Sequence, residues 1–160
     1  MNPAPAVPVL RKILVIDDNP IIQRTVYFAL RDKGFLVLMA GTISDGLSLI
    51  HQQRPQLILL DLNFPADSAD FGGSLPDGFA AIEWLRRTDD AKAIPIIVIS
   101  GNNAEESRPR ALAAGAVAYF PKPIDKEKLQ TVILAVLGKY AANAPGKMVF
   151  HANGGGLTMA

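Results

Sequence analysis

The chain contains no cysteine, which removes disulfides, thiolate metal sites and cysteine nucleophiles from consideration without naming a compartment. It also lacks an excess of either charge. Sixteen Lys and Arg stand against 15 Asp and Glu, a formal net charge of +1, so nothing electrostatic argues for nucleic acid or an anionic membrane as a partner. The densest basic spots, Arg86-Arg87 and Arg108 with Arg110, read as solvated helix faces, which leaves no nucleic-acid interface. No apolar run approaches the ~18 residues needed to span a bilayer. The opening Met1-Asn2-Pro3-Ala4-Pro5-Ala6-Val7-Pro8 has no basic residue before an apolar core and is interrupted by prolines, unlike a signal peptide. A cytoplasmic protein with no membrane segment is the expectation, and no internal repeat is visible.

What is present is one domain's worth of core. The chain has 160 residues, 49% of them apolar and 19% charged, a globular composition in a length that suits a single domain. The most telling stretch is Leu57-Ile58-Leu59-Leu60-Asp61, an apolar run led in by Pro55 and ending on one aspartate. Such a run suits a strand buried on both faces, with Asp61 at its carboxyl end, which is where ligands collect in an open α/β sheet. An aspartate there also suits a turn cap. A second strand, Lys12-Ile13-Leu14-Val15-Ile16, ends the same way at Asp17-Asp18-Asn19, and two strands delivering three carboxylates to one edge exceed what a turn needs.

Strands and helices alternate along the chain. The first strand leads through Asn19-Pro20 into a helix near 20–33 with Ile22, Val26, Ala29 and Leu30 at helical spacing and Gly34 as its stop. Phe35 to Ala40 is the second strand. A helix opened around Ser44 carries Leu47 and Ile50. After the third strand a long loop reaches Gly78, 17 positions beyond Asp61, and a helix with Phe79, Ile82 and Leu85 on its inner face follows. Pro95 begins the fourth strand, Ile96 to Ser100. Val117 to Phe120 is the fifth, and a helix from Ile124 to about Tyr140 buries Leu129, Val132, Ile133, Val136 and Leu137. The alternation predicts an α/β fold, a parallel sheet doubly wound with helices on both faces. Residues 1–9 are expected as a flexible arm, 10–140 as the domain, and 141–160 as a flexible tail. Pro109 lies within the segment 104–114; proline inside a helix costs ~3 kcal/mol, so regular helix is expected to begin close to it, with Asn102 to Ser107 as loop.

Three carboxylates about 4 Å apart repel by about 4 kcal/mol per pair at an effective dielectric of 20. They call for a cation, and hard oxygen ligands with room for water suit Mg²⁺. Asp17-Asp18, Asp61, Ser100-Gly101, Tyr119 and Lys122-Pro123, each at or beside a strand's carboxyl end and in this order, resemble the signature of two-component response-regulator receiver domains. The resemblance covers roughly residues 10–140 and implies five parallel strands in the order 2-1-3-4-5. That order puts the fifth strand, which leads into Pro121, at an edge, where proline is tolerated.

The resemblance also implies roles. Asp61 would be the phosphoacceptor, taking the phosphoryl group of a histidine kinase or phosphotransfer protein; Asp17, Asp18, Asp61 and the backbone carbonyl of Asn63 would hold Mg²⁺; Lys122 and Ser100 would meet the phosphoryl oxygens; and Ser100 with Tyr119 would form a switch signalling to a downstream protein. It further implies a cis Lys122-Pro123 bond. Such a domain is not an enzyme acting on a separate substrate; it assists its own phosphorylation and dephosphorylation. Three rivals differ visibly. A flavodoxin needs a Ser, Thr and Gly-rich phosphate loop where Asp17-Asp18-Asn19-Pro20 stands, an aspartate-nucleophile phosphatase separates its two aspartates by one residue, and a degenerate receiver serving as a docking module lacks the full acidic set.

Overall fold

The computed structural model describes residues 10–63, 78–142 and 150–151. In chain order these form β1 (Lys12–Ile16), α1 (Pro20–Arg31), β2 (Leu36–Ala40), α2 (Ile43–Gln53), β3 (Leu57–Asp61), α3 (Gly78–Arg87), β4 (Ile96–Ser100), α4 (Ala104–Ala114), β5 (Ala118–Pro121), α5 (Lys126–Ala142) and β6 (Phe150–His151). All strand pairings are parallel, in the order β2-β1-β3-β4-β5-β6. The first five follow the expected order. The arm at 1–9 and the long loop at 64–77 lie outside the described residues.

Burial on both faces explains why the central strands are unbroken apolar runs. Alternate residues go to opposite sides: Ile13, Val15, Leu57, Leu59, Ile97 and Ile99 pack with Val26 and Leu30 of α1 and with Leu129, Ile133 and Val136 of α5. Leu14, Ile16, Ile58, Leu60, Ile96 and Val98 pack with Ile43 and Ile50 of α2, Ile82 and Leu85 of α3 and Ala111 of α4. Each fully buried Leu or Ile contributes about 1.5–3 kcal/mol, so a Leu59→Ala change in the middle of β3 should cost about 2–5 kcal/mol.

Local signals set the helix ends. Asn19 caps α1 by accepting from the Ile21 N–H at 2.9 Å, with Pro20 at the first helical position. Gly34, at φ +82°, closes it: its N–H donates to the Arg31 carbonyl and that of Phe35 to the Leu30 carbonyl, at 2.9 and 3.3 Å. Thr42, and not a residue nearer Ser44, caps α2 through the Asp45 N–H.

Three expectations are corrected. First, α4 is continuous from Ala104 with Pro109 inside it. The Asn103 side chain caps its first turn through the Glu105 N–H at 3.1 Å, Glu105 and Glu106 face the positive helix end, and Ser107 and Ala111 are buried. Together these hold the turn that Pro109 was expected to undo. Second, Arg86 is no solvated residue: its Nε donates to the Gly115 carbonyl at 2.9 Å and its Nη1 to the Lys92 and Ile94 carbonyls at 3.0 and 2.7 Å. Burial holds this guanidinium below its ordinary pKa. Third, Arg108 is half-buried, its guanidinium carbon 5.6 Å from the centroid of the Tyr119 ring, whereas Arg110 is exposed as expected and lies 4.0 Å from the centroid of the Phe79 ring. Within the stretch expected as a tail, α5 runs to Ala142 and Phe150–His151 pairs with Ala118 and Tyr119 of β5; the rest of that stretch lies outside the described residues. Pro121 pairs with Ser100 of β4, and β6 stops short of it, so its missing donor breaks no described ladder bond. No helix among the described residues is long and apolar enough to cross a membrane.

Candidate functional site

β1 and β3 are neighbours, and their registers bring Ile16 beside Leu60, so the residues just beyond, Asp17 and Asp61, emerge at the same sheet edge. Asp17 and Asp61 are buried, 2% and 3% exposed, while Asp18 is exposed. One carboxylate oxygen from each of the three lies within 4.8 Å of the others. Asp17 Oδ1 accepts from the Asn19 N–H at 2.8 Å and Asp61 Oδ1 from the Asn63 N–H at 3.1 Å. The turn-capping reading and the cluster reading therefore hold together, since each buried aspartate ends its strand with one oxygen. Asp61 Oδ2 has no hydrogen-bond partner among the described residues.

Lys122 enters from the loop after β5. Its Nζ stands 3.4 Å from Asp17 Oδ2 and 3.4 Å from Asp61 Oδ1. The loop is fixed by the Lys122 N–H donating to the Ser100 carbonyl at 2.9 Å, and the Lys122-Pro123 bond is cis. Burial pushes the Asp17 carboxyl above its ordinary value, the Asn19 N–H pulls it back, Asp61 adds to the rise and Lys122 opposes it.

Ser100 is fully buried at the end of β4, and its Oγ accepts from the Asn102 N–H at 3.1 Å. Tyr119, 1% exposed, points inward and donates its hydroxyl to the Asn102 carbonyl at 3.3 Å. Asn63, exposed, follows β3 directly. Gly78 marks a close approach: a Cβ there would fall 2.7 Å from Leu62 Cα, so α3 can start tight against the end of β3 only with glycine in place.

Sequence reasoning passed over two supports. Gln23 Nε2 donates to the Asp17 and Ala40 carbonyls at 2.6 and 3.2 Å; its signal is a polar residue beside Ile22 and Val26 on the inner stripe of α1. Asn102 joins Ser100 to Tyr119 through its backbone alone, so no side-chain pattern could reveal it.

The donor set fits a hard divalent cation. Three carboxylates and one ammonium sum to −2, and carboxylate oxygens within 4.8 Å need close only slightly to reach the ~3–4 Å separations of Mg²⁺ ligands at about 2.1 Å from the metal.

Comparison with known proteins agrees with this geometry. Protein PilH of Pseudomonas aeruginosa is 30% identical over 128 residues, covering 80% of this chain and 98% of that protein. The phosphate regulon transcriptional regulatory protein PhoB of Escherichia coli is 31% identical over 87% of this chain, which spans 57% of that relative's length. A CheY-like receiver domain protein from Methanospirillum hungatei superposes with a TM-score of 0.71 at 25% identity, over 85% of this chain and all of that one. The receiver domain of a sensor histidine kinase from Pseudomonas aeruginosa, solved with a magnesium ion coordinated in its active site cleft, gives 0.67 at 26% identity, over 81% and 99%. With the family's sequence pattern matched over residues 13–134 as well, the chain belongs to the response regulator receiver domain family.

Proposed function

We propose that Asp61 accepts a phosphoryl group from a phosphohistidine on a histidine kinase or phosphotransfer protein, and that the phosphorylated receiver unit, residues 10–140, signals to a downstream protein by a change of conformation. The observation that carries this reading is the shared ammonium: Lys122 Nζ at 3.4 Å from oxygens of both Asp17 and Asp61. An Asp61 oxygen attacks phosphorus, the new P–O bond forms as the P–N bond to the donor imidazole breaks, and the electron pair of that bond stays on the imidazole nitrogen. Lys122, 3.4 Å from Asp61 Oδ1, would neutralise charge on the oxygens of the transferred group, and the Ser100 hydroxyl, at the adjacent strand end, would donate to one of them.

Asp17, Asp18, Asp61 and the backbone carbonyl of Asn63 would hold Mg²⁺. When bound, the ion neutralises negative charge shared between carboxylates and phosphoryl oxygens. The protein's part is otherwise positional. Asn19 and Asn63 N–H groups orient the buried carboxylates, Gln23 anchors the turn after β1, and Ser100 with Tyr119 forms the switch.

The test is intact-mass measurement after incubation with acetyl phosphate and Mg²⁺. The wild type should gain one phosphoryl group, Asp61→Asn none, and chelation of Mg²⁺ should abolish the gain. An Asp61→Asn protein that gains the same mass with the same lifetime would refute the assignment.

A further inference from the structure

The inner face of α4 carries an unexpected residue. Ala104, Ser107, Arg108 and Ala111 share that face at helical spacing, and Ser107 and Ala111 are its buried members. An aliphatic side chain is the ordinary occupant between them. Position 108 instead holds a half-buried arginine whose guanidinium carbon lies 5.6 Å from the centroid of the Tyr119 ring.

Tyr119 is linked in turn to the site. Its hydroxyl donates to the Asn102 carbonyl at 3.3 Å, and the Asn102 N–H donates to Ser100 Oγ at 3.1 Å. Asn102 is thus held from both sides, by Ser100 through its N–H and by Tyr119 through its carbonyl, and Arg108 covers the ring that holds it. A planar cation on an aromatic face is attracted by the ring quadrupole. It favours the inward ring, because an outward swing gives up both that attraction and the covered surface. Lysine is no substitute, being a compact, strongly hydrated charge without a stacking plane.

We propose that Arg108 is a positioning residue for the chemistry at Asp61. It keeps Tyr119 buried, and through the Asn102 backbone it fixes the Ser100 hydroxyl at the strand end beside Asp61. This rests on Asp61 being the phosphoacceptor, and the test separates the two ideas.

The full chain is compared with Arg108→Ala, Arg108→Lys, Tyr119→Phe and the Arg108→Ala/Tyr119→Phe pair. One readout needs no phosphate: nitration of tyrosines by tetranitromethane, mapped by peptide mass. Arg108→Ala should speed nitration of Tyr119 about fivefold, the factor matching a partly desolvated cation–π contact, with Tyr27 and Tyr140 unchanged. The other readout is the rate of phosphorylation by acetyl phosphate with Mg²⁺. Arg108→Ala should slow it by about fivefold, and Arg108→Lys should fail to restore it. Tyr119→Phe should slow it too, and adding Arg108→Ala to that variant should change little, because the link to Asn102 is already cut. Equal slowing in both backgrounds, or a Tyr119 as protected in Arg108→Ala as in wild type, overturns the proposal. A wild type that takes no phosphate overturns the phosphoacceptor reading instead, and the nitration result then decides by itself whether Arg108 holds Tyr119.

Discussion

Lys122 and Asp61 face each other across the carboxyl edge of the sheet, Nζ to Oδ1 at 3.4 Å, and the same ammonium stands 3.4 Å from Asp17. Two buried carboxylates therefore depend on one cation that is itself only 18% exposed. Replacing Lys122 by Met leaves both uncompensated. A fully buried pair so broken costs about 3–5 kcal/mol; solvent reaches this lysine, so the loss should be nearer about 1–2 kcal/mol. Mg²⁺ should restore more stability to Lys122→Met than it adds to wild type, because binding to the native state stabilises by mass action and the carboxylates no longer share a cation. Urea denaturation at neutral pH, with and without Mg²⁺, measures both effects, and an equal Mg²⁺ increment in the two proteins would count against the shared-ammonium account.

Arg86 fastens three carbonyls, those of Gly115, Lys92 and Ile94, and so ties the end of α3 to the turn before β4 and to the end of α4. Its contacts with Gly115 are close on both sides: a Cβ there would meet Arg86 Cγ at 2.8 Å, and φ is +119°. Hydrogen bonds to a charged donor contribute about 1.5–3 kcal/mol each and do not add fully. Arg86→Ala should destabilise by about 3 kcal/mol in a denaturant melt, and Arg86→Lys by an intermediate amount, because one ammonium cannot reproduce the forked geometry.

On the surface, Asp90 receives His51 Nδ1 at 2.8 Å and Arg54 Nη1 at 2.9 Å, joining the end of α2 to the turn after α3. The hydrogen bond from His51, followed by the charge of Arg54, holds the Asp90 carboxyl below its ordinary value of 3.8. A carboxyl depressed in the folded state adds stability above its unfolded pKa and loses it as pH falls through the folded one. Wild type should therefore melt above Asp90→Asn at pH 6, and the gap should close as pH falls below the ordinary value of 3.8 and through the lower folded one. A gap that persists in acid would assign the effect to packing and not to ionisation.

Legibility in the sequence followed burial. β1, β3 and β4 stand out because covering both faces turns each into an apolar run, and the carboxylates that end β1 and β3 stand out because nothing apolar follows them. Asp17, Asp18, Asp61, Ser100 and Lys122 could be named from their strand ends, since the parallel order brings those ends together, whereas Tyr119, inside β5, could be named only through the family resemblance. β6 could not: two residues carry no periodicity. Arg86 and Arg108 were illegible for another reason. An arginine presents the same letter whether its guanidinium meets water, a carbonyl or a ring, and a long side chain on a helix reaches partners that sequence spacing does not mark. Pro109 misled because a local penalty was weighed without the neighbours that offset it, namely the Asn103 cap and the buried pair Ser107 and Ala111.

That offset is measurable. Pro109 is the sixth residue of α4 and has no N–H to give the Glu105 carbonyl four residues back. Proline in a helix interior costs about 3 kcal/mol relative to alanine, while its stiffness in the unfolded chain returns about 0.4–1 kcal/mol. Pro109→Ala should therefore stabilise the domain by about 2 kcal/mol in urea, with no change in the slope of the transition, because no new surface is exposed on unfolding. The proline also disfavours the helical backbone that Arg108 adopts, a penalty that the substitution removes. If the half-buried guanidinium depends on the local helix shape that an interior proline imposes to stay over Tyr119, Pro109→Ala should gain stability and yet slow phosphorylation by acetyl phosphate, two changes of opposite sign that a single packing effect would not produce. A stabilised variant phosphorylated at the wild-type rate would show that the cation–π contact alone keeps Arg108 in place, and a variant no more stable than wild type would show that α4 accommodates its proline at no cost.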